Sequence, residues 1–98
     1  MSSEVVEIDP VEAARAVRAG TPLVDVRGDD EWQAGHVEGA VHIPLDELGV
    51  RSDEVPREGV VLVVCAHGVR SRKAAAHLRD LGIDAVSVSG GLAAWPED

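Results

Sequence analysis

The run Val60-Val61-Leu62-Val63-Val64 constrains this chain more than any other segment. Five consecutive apolar residues, four of them β-branched, leave no polar face, so a strand built from them must be covered on both sides. That is the situation of a central strand in a parallel sheet. At 98 residues the chain is near the commonest size of one domain, so a single core spanning 1–98 is expected around this strand.

The punctuation on either side supplies the remaining elements. Val5-Val6-Glu7-Ile8 reads as a short first strand, and Asp9-Pro10-Val11-Glu12 as an N-cap, a first-turn proline and a capping-box glutamate. Val11, Ala14 and Val17 are predicted on one helical face, ended by Gly20 and Thr21-Pro22. Leu23 to Val26 is the second strand, the stretch around Trp32 a short helix, and Ala40 to Ile43 a third strand stopped by Pro44. Leu45 to Leu48 suits one helical turn, and Arg51 to Gly59 a solvated connection. Beyond the central strand, Ser71 to Leu81 carries Ala74, Ala75, Leu78 and Leu81 at helical spacing and stops at Gly82. Ala85 to Val88 is the fifth strand, and Gly90-Gly91 opens a short terminal helix around Trp95. Strands alternating with helices predict an α/β fold, a five-stranded, mostly parallel sheet flanked by helices on both faces. In such folds functional residues gather beyond the C-terminal strand ends, where Cys65 stands.

Charge singles out the same place. The net charge of -9 opposes binding to nucleic acid or to anionic membranes, yet Arg70, Arg72, Lys73 and Arg79 follow Cys65 closely. With one cysteine there is no internal disulfide, no Cys/His set has structural-zinc spacing, and a reducing, cytoplasmic setting is expected. Met1-Ser2-Ser3-Glu4 lacks a basic, apolar leader, and no apolar run nears the about 20 residues of a membrane span. Neither secretion nor insertion is expected. His36, His42 and His77 lack convergent ligand partners, so no metal site is expected. Trp32 and Trp95 read as packing anchors in a core without Phe or Tyr, and Trp95 also as a lining of the cleft; Glu54 to Glu58 and the tail Glu97-Asp98 read as solvated surface.

Cys65-Ala66-His67-Gly68-Val69-Arg70-Ser71 turns a buried strand into a helix. Amides converging at the helix N-terminus favour an anion and, by the same field, a thiolate, lowering a free-cysteine pKa of about 8.5. Gly68 suits a backbone conformation or close approach that a side chain would obstruct. Arg70 adds a planar cation, and Ser71 suits a helix N-cap or a donor toward the sulfur. His67 reads either as a part-time charge or as a solvent-facing contact. A lone cysteine is ordinarily a small buried hydrophobe; the glycine, the arginine and the strand-to-helix setting favour a nucleophile instead.

The loop resembles the active-site pattern C-x-x-G-x-R-S/T of the rhodanese-like sulfurtransferases. Val24-Asp25-Val26-Arg27 with Glu31-Trp32, Gly35-His36-Val37-Glu38-Gly39-Ala40-Val41-His42-Ile43-Pro44, and Gly90-Gly91-Leu92-Ala93-Ala94-Trp95 resemble the family's other signatures, in order and nearly throughout the chain. The resemblance implies a five-stranded parallel sheet and a catalytic Cys65 that takes a sulfane sulfur from a small anionic donor such as thiosulfate. The resulting persulfide passes to cyanide or a thiol, with a protein sulfur acceptor as an alternative, and no cofactor is required. It implies that Ala66, His67, Gly68, Val69, Arg70 and Ser71 bind substrate, chiefly through amides. Spacing and the resemblance together give Asp25 and Glu31 supporting roles, and Arg27 an ion pair with Glu31, support for the active loop, or a direct contact with substrate. Some thiosulfate-preferring relatives carry strongly basic side chains just after the cysteine; here those positions hold Ala66 and His67, which makes thiosulfate a poor donor.

Two other classes compete. A phosphatase or arsenate reductase resembles C-x5-R, one residue longer than this loop, in which Arg70 stands five positions after Cys65. A non-catalytic persulfide carrier or protein-binding module shares every residue of the loop. A thioredoxin-type oxidoreductase lacks its second cysteine.

Overall fold

The apolar run 60–64 forms the middle strand, β4 (Val60–Val64), of a five-stranded sheet in the computed structural model, which describes residues 5–96. The leader Met1-Ser2-Ser3-Glu4 and the acidic pair Glu97-Asp98 lie outside those residues. β4 is flanked by β2 (Leu23–Asp25) and β5 (Asp84–Val88), and the edges are β3 (Val41–His42) and β1 (Glu7–Ile8). The spatial order is β1-β5-β4-β2-β3, and each neighbouring pair runs parallel.

Because side chains alternate across a strand, β4 feeds two cores. Val61, Val63 and, just beyond the strand, Cys65 join Val24, Ala85 and the buried face of α4 (Val69–Asp80). Leu62 and Val64 face the other way, against α1 (Pro10–Arg18), Leu92 and Trp95. Val61 to Val64 are all 0 or 1% exposed, as double coverage requires.

Asp9 caps α1 by accepting from the amides of Val11 (2.8 Å) and Glu12 (3.4 Å), with Pro10 in the first turn. The reciprocal bond from Glu12 is not formed. The buried face is Ala13 and Ala14, with Ala16 and Val17 half-buried, and Val11 is exposed rather than packed. At 3.6 residues per turn Val11 sits about 200° round the helix from Ala13. At the far end of α4, Leu81 likewise escapes the core. Gly82 (φ 87°) turns the chain, the Ile83 amide donates to Leu78 O and the Gly82 amide to Arg79 O, and Ile83 takes the buried place beside Leu78.

The connection to β4 is more structured than its polar composition predicts. A 3-10 turn (Leu45–Glu47), α2 (Asp29–Ala34) before it, α3 (Leu48–Arg51) and a second 3-10 turn (Ser52–Glu54) occupy the chain between β2 and β4. Leu48 and Val55 are buried against the α4 face, so the stretch from Arg51 to Gly59 is not simply solvated. Trp32 is also not a core anchor. Half-buried on α2, its ring stacks with His36 (centroids 3.5 Å apart) and His42 (4.6 Å). Trp95, in contrast, packs against the α1-side core. No helix among the described residues is long and apolar enough to cross a membrane.

Candidate active site

β4 delivers Cys65 to the C-terminal edge of the sheet, on the α4 side. The chain must then reverse into α4 within three residues, and Gly68 does this at φ 99°. A Cβ there would lie 3.1 Å from the Gly90 amide nitrogen, so both conformation and space call for glycine. Gly68, not Ser71, is the residue that precedes the helix. Ser71 belongs to the first turn, fully buried, because the helix begins two residues earlier than the apolar spacing predicts.

This early start brings α4 amides onto the sulfur. Cys65 Sγ accepts from the amides of Gly68 (3.1 Å) and Ser71 (3.3 Å), and Ser71 Oγ lies 3.5 Å away. Burial, with Cys65 only 1% exposed, pushes the thiol pKa up. The Ser71 hydroxyl and the amides of Ser71, Gly68 and His67 outweigh it, and the net direction is down.

The loop is held from behind by the terminal 3-10 turn (Gly91–Ala94), whose Leu92 and Ala93 amides donate to Cys65 O (2.8 Å) and Ala66 O (2.9 Å). Those bonds turn the loop carbonyls away from the sulfur. Gly91 lies so close that a Cβ would sit 2.5 Å from Cys65 O and 2.6 Å from Ala66 O. Sequence reasoning noted Gly90-Gly91 without finding this contact, which is made by residues remote in the chain.

The charged residues pair differently from the expectation. Arg27 does not bind Glu31: its Nε lies 3.0 Å and its Nη2 2.8 Å from the two oxygens of Asp25, and Nη2 also donates to Gly35 O. Asp25 is 1% and Arg27 8% exposed. Their pairing follows from the turn after β2, where the Arg27 amide donates to Asp25 Oδ1 and folds the two side chains together. Glu31 instead grips Arg70, at 2.7 and 2.9 Å, and also accepts from the Gly28 amide. The hydrogen bonds from Arg70, then from Gly28, hold the Glu31 carboxyl down at about 2. Arg70 is therefore a half-neutralised cation, tied to α2. His67 is exposed on the loop and Ala66 half-buried, with Val69 projecting into solvent.

His42 Nε2 meets Arg27 O and His36 Nδ1 meets Trp32 O, so both histidines fix the turns around α2. A cleft of about 660 Å³ is lined by Arg27, His36, Leu92 and Trp95 among others. Its Leu92 and Trp95 wall belongs to the α1 side of the sheet, whereas Sγ faces α4. One contributor was missed by sequence reasoning altogether. Ser87 of β5 lies 2.8 Å from Ser71 Oγ behind the sulfur, and nothing local distinguishes it from any other strand serine.

A parallel sheet that ends its central strand in a sulfur cradled by helix-terminal amides defines the class of α/β proteins built around a thiolate-stabilising loop. The rhodanese-like domain model matches residues 9–98. A thiosulfate sulfurtransferase GlpE of Actinobacillus pleuropneumoniae is 37% identical over 97 residues, covering 97% of this chain and 90% of that one. Among solved structures, a rhodanese-like domain protein from Staphylococcus aureus superposes with a TM-score of 0.88 at 33% identity, over 96% of this chain and 94% of the other. A rhodanese-related protein from Thermoplasma volcanium gives 0.85 at 31%, over 92% and 89%. The chain belongs to the rhodanese-like family and is an enzyme of the rhodanese type.

Proposed function

We propose that the protein transfers sulfane sulfur through a persulfide on Cys65. The observation that carries this is the cradle itself: two amides and a hydroxyl converge on Sγ at 3.1, 3.3 and 3.5 Å. Donors so placed favour the thiolate, which is the nucleophilic form of cysteine. The thiolate attacks the outer sulfur of the donor; with thiosulfate the S–S bond breaks, sulfite leaves with the bonding pair, and Cys65 carries a terminal persulfide anion. Cyanide or a thiolate then attacks that outer sulfur and returns Cys65 as thiolate.

The amides of Val69 and Arg70 stand in the first turn of α4, where the helix offers them no acceptor, and Ala66 precedes them on the loop. These amides receive the outer sulfur and the departing anion. Asp25, Arg27 and Glu31 act as supports: the buried Asp25–Arg27 pair braces the turn after β2, and Glu31 positions Arg70.

The same electrostatics bear on the donor. With Arg70 half-neutralised, Ala66 and His67 in place of strong bases, and a net charge of -9, little long-range field draws in a dianion. We therefore read thiosulfate as a slow donor and a less charged sulfane compound as the better one.

The deciding experiment incubates the protein and Cys65→Ser with thiosulfate and with 3-mercaptopyruvate, a thiol donor whose C–S bond breaks so that the carbon keeps the pair, takes up a proton and leaves as pyruvate. It records intact mass and follows thiocyanate on adding cyanide. Gain and discharge of one sulfur by the wild type alone is the expected result. Loading without discharge by cyanide or small thiols would favour a stoichiometric carrier, and no loading from any donor would end the proposal.

A further inference from the structure

Ser87 is a buried serine on a face of β5 that otherwise packs like a core. Ala85, two residues before it on the same face, joins the apolar cluster against α4, and Ser87 itself is 0% exposed. Its amide already donates to Val6 O in the sheet, so the ladder makes no demand on the side chain. What the hydroxyl does is meet Ser71 Oγ at 2.8 Å, and Ser71 Oγ in turn lies 3.5 Å from Cys65 Sγ. Neither hydroxyl has another partner among the described residues.

Counting hydrogens gives this row a direction. Sγ, Ser71 Oγ and Ser87 Oγ make two links. A thiol brings three hydrogens to them, and one buried hydrogen is left with no acceptor. A thiolate brings two: Ser87 donates to Ser71, and Ser71 donates to the sulfur. The row is fully satisfied only when Cys65 is ionised, and unsatisfied buried donors are costly. Cys65 and Ser71 alone would give the same count, and what Ser87 adds is a donor to Ser71 Oγ that polarises the Ser71 hydroxyl toward the sulfur.

We infer that Ser87 is a positioning residue for sulfur transfer, acting through Ser71 to keep a hydroxyl hydrogen aimed at Cys65 Sγ. The inference rests on the proposed role of Cys65 as nucleophile. The proton that leaves Cys65 goes to solvent, and none travels along the row. Other charged or titratable groups also face this region. The loop and α4 carry His67 and Arg70, with Arg72, Lys73 and His77 on the outer face of α4. The end of β2 carries Asp25 and Arg27, and α2 carries Glu31. β5 adds only Asp84, opposite Val60 at the far end of β4; β1 brings Glu7, level with Ser87 across the ladder and 3.6 Å from Arg72 Nε, and the terminal 3-10 turn adds none. Ser87→Ala leaves all of them in place.

The chain has one Cys and no Tyr, so the ultraviolet absorbance of its thiolate is free of tyrosinate. Titrating that absorbance in wild type, Ser87→Ala, Ser87→Thr, Ser71→Ala and the double alanine variant tests the inference. Ser87→Ala is expected to raise the midpoint by roughly a few tenths of a pH unit, because Ser71 still donates to the sulfur and only the strengthening of that bond by Ser87 is lost. Ser87→Thr restores it, and Ser87→Ala adds nothing once Ser71 is alanine. An unmoved midpoint in Ser87→Ala, a threonine variant that behaves like the alanine one, or an equal shift without the Ser71 hydroxyl would each overturn it. Intact mass after treatment of the same wild-type sample with thiosulfate and with 3-mercaptopyruvate judges the sulfur-transfer proposal separately, because the titration needs no turnover.

Discussion

Arg70 and Glu31, 39 positions apart, close a two-bond ion pair at 2.7 and 2.9 Å across the mouth of the Cys65 loop. The arginine that completes the loop's pattern is thereby shared with α2, and its charge is partly spent before any substrate arrives. Two outcomes follow for the carboxylate that holds it.

Glu31→Gln frees Arg70 while keeping an acceptor for the Gly28 amide. The expected result is a KM for thiosulfate lowered several-fold, with a much smaller change for a neutral donor, measured by steady-state kinetics at low salt. Equal changes for both donors would mean that Arg70 does not sense donor charge.

The pair also carries a pH signature. Glu31 sits at about 2 in the folded protein against 4.5 ordinarily, so the unfolded chain binds its proton first as pH falls. The stability it contributes is complete above about pH 4.5 and disappears as pH drops toward 2. With the two side chains 37 and 39% exposed, solvent screening limits it to about 1 kcal/mol or less. Urea unfolding of wild type and Glu31→Gln from pH 6 to pH 2 should show a gap that closes on acidification.

The buried pair behind the site is the more costly to break. Asp25→Ala leaves the Arg27 guanidinium, 8% exposed, without its carboxylate, and a loss of about 3–5 kcal/mol is expected. Denaturant unfolding checks it. A loss below about 1 kcal/mol would show that water reaches Arg27.

Gly91→Ala forces a Cβ to within 2.5 Å of Cys65 O at a φ of 65°, so the loop carbonyls must shift. More than about 2 kcal/mol of stability should be lost, together with persulfide loading. Gly49→Ala, in α3 with nothing within 4 Å and no positive φ, is the matched control and should be neutral or slightly stabilising.

Ionisation of Cys65 links to folding in the alkaline range. Burial opposes the thiolate, and the Ser71 and Gly68 donors overcome it, so the folded pKa is the lower one. The resulting stability is fully present above the unfolded thiol pKa and is lost as pH falls through the folded value. Comparing unfolding of wild type and Cys65→Ala between pH 6 and pH 10 should show the wild type gaining relative stability as pH rises.

The amino-acid sequence by itself determined the elements whose cause is local or periodic. Val60 to Val64 could only be a strand, doubly covered from Val61 to Val64 while Val60 at its start is 42% exposed, Asp9-Pro10 is a helix start and Gly82 a helix stop, each where chain chemistry puts it. The pattern from Cys65 to Ser71 likewise announced a tight strand-to-helix loop around the sulfur, because glycine and the following helix act within a few residues of it. Only the tertiary structure decided which partners meet. Asp25 took Arg27 rather than leaving it for Glu31, Glu31 took Arg70, Gly91 lodged against the Cys65 carbonyl, and Ser87 reached the sulfur through Ser71. Each of these contacts depends on the register of parallel strands and the seating of a helix, which set side chains face to face at spacings the linear order does not contain. The core positions of Val11, Leu81 and Trp32 were misread for the same reason. Their hydrophobicity is a property of the residue, but burial is a property of the surface brought against it.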